Sequence, residues 1–186
     1  METNQTIPTD PNWPPQKARL IFVDTEFTDL VQDPFLISVG FVSEDGREFY
    51  GELEQKFWAP WANQFVQANV VPLLDQVTHR PGGLPPFSLS GLATAIRGWI
   101  EAQPSEVVLV SDAPSYDLPV LLYLFDEANV SWPSNTEKHA RYYSMDEAAA
   151  HTYHYEFRQI GLPQHHALAD AKALRAAWLA HGWRSD

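Results

Sequence analysis

The sequence predicts an α/β fold: a mixed five-stranded sheet, three antiparallel strands and then parallel strands, with helices on both faces. Three observations predict it. Strand-like runs at 19–23, 36–42 and 48–53 follow one another closely, and Asp45-Gly46 is a hairpin turn signal between the last two. Val107-Val108-Leu109-Val110 is continuously apolar, as a central parallel strand is. From there on, helical periodicities alternate with strand-like runs.

Each element has its own signal. Arg19-Leu20-Ile21-Phe22-Val23 and 36–42 are rich in strand formers, and 48–53 alternates behind its turn. Residues 61–74 place apolar side chains at helical spacing, and 78–86, with three prolines and two glycines, reads as loop. Ser88 or Ser90 caps a helix running to Gln103, with Leu92, Ala95, Ile96, Trp99 and Ile100 on one face. Residues 118–128 read as helix with Pro119 near its first turn, 129–136 as loop, 140–144 as a weaker strand and 145–151 as a short helix. The alanine- and leucine-rich stretch 167–180 is the strongest helix, and Gly182 ends it. Residues 1–16, polar with Pro8, Pro11, Pro14 and Pro15, are expected to be a flexible N-terminal arm, and 17–186 a single domain.

Composition excludes several classes of function. The chain has 186 residues, 45% hydrophobic and 19% charged, which is not the balance of a disordered chain. It has no cysteine, so disulfide scaffolds, thiolate zinc sites and cysteine nucleophiles are excluded. No run of about 18 apolar residues suits a membrane span, and no secretory signal opens the chain, so a cytoplasmic location is the expectation. The formal charge of −12 disfavours long, sequence-blind tracking along a nucleic-acid duplex, yet a bound divalent cation offsets such a field locally.

Carboxylates carry the candidate chemistry. Asp24 and Glu26 end the first strand, and residues i and i+2 share a strand face. Two carboxylates side by side repel until one takes up a proton or a cation lies between them. An oxygen-only site of this kind suits Mg²⁺ or Mn²⁺. Asp112 and Asp117 follow the central strand, where ligands gather in such sheets. Asp117 lies at a helix entry, where it or Ser115 equally serves as a cap. His165-His166-Ala167-Leu168-Ala169-Asp170-Ala171 comes last, and Ala167, Ala169 and Ala171 are small enough to let the final helix pack closely on the sheet.

In this order (Asp-x-Glu on the first strand, an Asp after the central strand, His-x₄-Asp at the final helix) the chain resembles the DEDDh exonucleases. These form the RNase T and oligoribonuclease superfamily, on a ribonuclease H-like fold. Matching elements run from about 17 to 182. The small size and Val23-Asp24-Thr25-Glu26-Phe27 are most similar to the compact bacterial 3′–5′ exoribonucleases.

The resemblance implies that Asp24, Glu26, Asp117 and Asp170 bind two Mg²⁺ or Mn²⁺ ions, with Asp24 bridging them, and that His165 is the general base. Its position five residues before the last Asp is that of the His subclass. His166, four before it, occupies the position of the Tyr subclass base and stays an alternative. Where relatives have an Asn-Ala-x-Phe-Asp-like motif, this chain has Ser-Asp-Ala-Pro-Ser-Tyr-Asp, so Asp112 competes with Asp117 as a ligand.

The implied activity is hydrolysis of single-stranded RNA from its 3′ end, releasing nucleoside 5′-monophosphates. The alternatives are the same chemistry on DNA ends, or a non-catalytic nucleic-acid-binding module. Thr25, Phe27 and Tyr116 are candidate substrate contacts, Thr25 through a ribose and the two rings through stacking. Lys138, His139, Arg141 and Arg158 are candidate backbone contacts. Relatives are often dimers, and Trp58, Trp61 and Trp132 are candidates for an exposed homodimer face.

Overall fold

The computed structural model describes residues 18–31, 33–75, 83, 85–161 and 163–182. The expected arm, 1–16, and most of the expected loop at 78–86 lie outside the described residues.

The strands are β1 (Arg19–Phe27), β2 (Leu36–Ser43), β3 (Glu48–Glu52), β4 (Val107–Ser111) and β5 (Thr136–Tyr142). They form one sheet in the order β3-β2-β1-β4-β5. The β1–β2 and β2–β3 pairs are antiparallel, and β1–β4 and β4–β5 are parallel. This is the mixed α/β sheet that the sequence predicts. The helices are α1 (Gln64–Asn69), α2 (Leu89–Glu101), α3 (Pro114–Glu127), α4 (Glu147–Ile160) and α5 (Ala167–His181).

Strand alternation sorts the helices onto two faces. Ile21 and Val23 point into the layer that holds Leu92, Ile96 and Ile100 of α2 and Leu121 and Leu124 of α3. Leu20 and Phe22 point into the opposite layer, with Ala149 and Tyr153 of α4 and Leu174 and Ala177 of α5. Burial of these apolar surfaces, at roughly 25 cal/mol per Å², drives both layers together. The side-chain oxygen of Ser88 accepts from the Gly91 N–H at 3.1 Å, so Ser88 is the cap of α2.

Four expectations about the elements are corrected. Residues 61–74 are not one helix: α1 sits between 3₁₀ turns at Ala59–Trp61 and Val71–Leu73, and Pro72, which has no N–H to give, stops it. α3 starts at Pro114, not Leu118, which puts Asp117 in its first turn and Pro119 in its second. β5 begins at Thr136 as an edge strand with Glu137, Lys138 and His139 exposed, where a loop was expected. α4 runs to Ile160, far beyond His151, from an Asp146 cap to Gly161 at φ 68°. Of the three tryptophans, Trp58 is core, 2% exposed with its Nε1 donating to the Leu53 carbonyl at 2.9 Å, and Trp132 packs edge-on against Phe125. Trp61 alone of them is exposed, at 53%. Among the described residues no helix is long and apolar enough to cross a membrane.

Candidate active site

Asp24 and Glu26 continue the alternation of Leu20 and Phe22, so they face the α4–α5 side of the sheet. Opposite Asp24 in the β1–β2 register stands Gly40. A side chain there would collide with the Ala167 carbonyl and the Leu168 amide, so the absence of one lets the start of α5 lie on the sheet. Ala167, Ala169 and Ala171 are fully buried at that contact. Asp170, in the first turn of α5, is thereby brought down to the strand: oxygens of Asp24, Glu26 and Asp170 all lie within 4.8 Å of one another.

From the other side, oxygens of Asp24, Asp112 and Asp117 also lie within 4.8 Å of one another. Asp24 is common to both groups. Asp112 and Asp117 therefore do not exclude each other, since both reach Asp24. Asp117 is not the cap of α3. Its carboxylate accepts from the Thr25 N–H at 3.0 Å, the Thr25 hydroxyl at 2.7 Å and the Ser111 hydroxyl. Thr25 is 4% exposed with both donors committed to Asp117, so it holds a carboxylate in place where a ribose contact was expected. The Asp170 carboxylate accepts from the Tyr153 hydroxyl at 2.7 Å and from the backbone N–H groups of His165 and His166 at 2.9 and 3.0 Å.

These contacts favour the charged forms, yet burial and crowding push the other way. Burial, then Asp170, Asp117, Glu26 and Asp112, hold the Asp24 carboxyl well above its ordinary range. Glu26 is raised by burial and then by Asp170 and Asp117. Burial pushes Asp117 up to about 7 against the Ser111 and Thr25 hydrogen bonds, and Asp170 up to about 6 against those from Tyr153, His166 and His165. Asp112 is raised by burial. Among the described residues no lysine or arginine forms an ion pair with any of the five. Lys138, His139 and Arg158 are exposed on β5 and α4. A mutually repelling, all-oxygen donor set, with Glu26, Asp117 and Asp170 buried and Asp24 and Asp112 half-buried, fits a hard divalent cation.

The two histidines part company. His165 has φ 73°, a left-handed backbone, and its half-buried ring meets Phe65 edge-on with centroids 5.1 Å apart; burial lowers its pKa. His166 is 3% exposed, and its ring stacks on Tyr50 at 4.6 Å. Phe27 and Tyr116 stack on each other, centroids 6.0 Å apart, beside Glu26 and Asp117. Gly40, Ser111 and Tyr153 are further residues of the site, beyond those that the sequence predicts. A glycine inside a strand, which marks a close approach, was the legible signal for the first.

Residues 19–182 match the model of the 3′–5′ exoribonuclease Rv2179c-like domain. The chain belongs to that family. That family is of the 3′–5′ exonuclease class of hydrolases. No curated protein matches the chain in sequence. Among solved structures it is similar in fold to the nuclease domain of 3′hExo, a DEDDh family member, bound to rAMP. The TM-score is 0.57 at 12% identity, over 90% of this chain and 94% of that one. It is also similar to the zinc-bound form of the E. coli ExoI–ssDNA complex, at TM-score 0.54 and 13% identity over 89% of this chain and 41% of that one. E. coli exonuclease I with a dT13 oligonucleotide gives TM-score 0.52 at 12% identity, over 88% and 40%. The chain spans about two fifths of those exonuclease I chains.

Proposed function

We propose that the protein is a divalent-metal-dependent 3′–5′ exoribonuclease that shortens single-stranded RNA and releases nucleoside 5′-monophosphates. The observation that carries this reading is the convergence of Asp24, Glu26, Asp112, Asp117 and Asp170 from β1, the β4–α3 connection, the first turn of α3 and the first turn of α5. Asp24, Glu26, Asp117 and Asp170 would hold two Mg²⁺ or Mn²⁺ ions, Asp24 being the residue shared between them. Bound ions would neutralise the carboxylates and lend positive charge to a phosphodiester undergoing in-line displacement.

The chain's own residues supply the rest. Thr25, Ser111, Tyr153 and the His165 and His166 amides fix the carboxylates in place before substrate arrives. His165, the more open of the two rings, takes the proton from the attacking water. Its burial-lowered pKa favours the neutral form that a base requires. Phe27 and Tyr116 offer faces to the terminal bases, a sequence-tolerant contact. A cytoplasmic location belongs to this reading.

The family's exoribonuclease description supports RNA, while structural neighbours include an ExoI–ssDNA complex, so DNA ends are the second reading. 5′-labelled RNA and DNA oligomers, incubated with Mn²⁺, Mg²⁺ or EDTA, separate the two. A ladder from RNA that EDTA abolishes is the expected result; a ladder from DNA alone assigns the second reading. Binding of oligomers without shortening, metal present, overturns both.

A further inference from the structure

A second group of rings extends away from the carboxylates along α3. The first pair, Phe27 and Tyr116, borders the site. The next is Phe35 and Tyr123, edge-on with centroids 6.3 Å apart, and Trp61 lies against Phe35 at 4.5 Å. Tyr116 and Tyr123 are seven residues apart on one helix, two turns on the same face and about 10 Å apart. Phe27 and Phe35 flank the β1–β2 connection, which the Thr28 N–H closes on the Phe35 carbonyl at 3.0 Å. Two rungs of aromatic side chains therefore follow one another along α3, the first beside Asp117. Tyr116, Tyr123 and Trp61 leave 44, 42 and 53% of their surface to solvent.

We propose that Phe35, Trp61 and Tyr123 form a stacking site for bases of the RNA strand upstream of its 3′ end. The inference rests on the exoribonuclease reading and extends it to substrate length. Ten ångströms is roughly three stacked steps of about 3.4 Å. A strand with its terminal nucleotide at the carboxylates thus meets the second rung about three or four nucleotides back, and a dinucleotide does not reach it.

Charge dictates how the strand lies there. Burial and then Glu127, Asp33 and Asp126 raise the Tyr123 phenol, so three carboxylates surround that ring. They repel phosphates. The bases face the rings and the backbone faces solvent, so this contact carries no cation and adds no salt dependence.

The test compares the full chain with Trp61→Ala, Tyr123→Ala and the double variant on 5′-labelled RNAs of two and seven nucleotides, with Mn²⁺. Tyr142→Ala, at an exposed ring on β5, is the control. The expected result is a heptamer KM raised about 5- to 160-fold in the double variant, the range that loss of a base stack gives. The dinucleotide KM stays level, and the salt slope of heptamer binding is unchanged. Trp61→Phe restores most of the heptamer effect. A heptamer KM equal to that of the unsubstituted chain overturns the inference while exoribonuclease activity stands, as does an equal loss on both lengths. Dissociation of a dimer by Trp61→Ala with heptamer KM unchanged also overturns it, assigning the rings to a second copy. Failure of the unsubstituted chain to shorten either RNA overturns the activity itself.

Discussion

Gly40 lies directly beneath Ala167: a methyl group on the one would occupy the carbonyl of the other. Gly40 also pairs with Asp24 across β1 and β2, so this contact sets the height of Asp170 above the first carboxylate. Gly40→Ala is expected to lift the start of α5. The overpacking costs about 1–3 kcal/mol, readable by urea unfolding. Activity is expected to fall further than that loss explains, because the Asp24–Asp170 geometry opens. A variant with normal turnover shows that α5 does not need this approach.

Gly98 is the counterpart. It sits inside α2 with nothing within 4 Å of an added methyl. Gly98→Ala is expected to raise stability by about 0.5–1 kcal/mol, the backbone entropy that glycine loses in a helix, with activity unchanged. The same urea titration checks it.

The five carboxylates oppose folding unless something compensates them. Mg²⁺ or Mn²⁺ is expected to raise the melting temperature over EDTA, by an increment equivalent to about 2.7 kcal/mol at a hundredfold excess over Kd. Asp24→Asn removes the charge shared by both groups. It is expected to melt higher than the unsubstituted chain in EDTA, to gain less from metal and to lose activity. Full turnover by that variant excludes the metal assignment.

Acid stability reports on the β2–β3 turn. The Ser43 hydroxyl, with Arg19 and Arg47, lowers the Asp45 pKa to about 2. A depressed folded pKa stabilises above the unfolded value of about 3.9 and loses that contribution as pH falls towards 2. Asp45→Asn is therefore expected to be less stable at pH 7, with the deficit vanishing near pH 2. Asp45 is 47% exposed at its ion pair with Arg19, so screening keeps the effect below about 1 kcal/mol. A deficit that persists at pH 2 would assign it to packing instead.

The central strands are legible because they bury both faces: every residue of β2 is buried, and its apolar run shows it. The second half of α4 is hard to read because its apolar stripe is narrow: only Ala149 and Tyr153 of its fourteen residues are buried, with Phe157 packed beside them, among polar residues from His151 to Arg158. β5 was read four residues late because an edge strand carries solvent-facing charge, here Glu137 and Lys138. In the site, the Asp24–Glu26 pair is readable from spacing, and Asp170 only from the family resemblance that the ordered motifs carry. Ser111 and Tyr153 are not, because hydrogen bonds such as Tyr153 to Asp170 join elements whose packing no local pattern encodes.

The neighbouring histidines give the sharpest division between chemistry and packing. The His165 backbone N–H donates to Asp170 whatever its side chain, so His165→Ala keeps the hydrogen bond that seats the carboxylate. Its ring is half-buried beside Phe65 and supports little of the core. His165→Ala is expected to lower kcat by about 10²–10⁴-fold, the usual contribution of a positioned base, with KM and melting temperature little changed. His166 is different: its ring lies on Tyr50 beneath the start of α5, 3% exposed. His166→Ala leaves a cavity there and is expected to lower the melting temperature, with activity falling only as the folded fraction falls. Single-turnover rates with thermal unfolding of both variants decide the matter. A larger chemical defect in His166→Ala than in His165→Ala would transfer the base to His166.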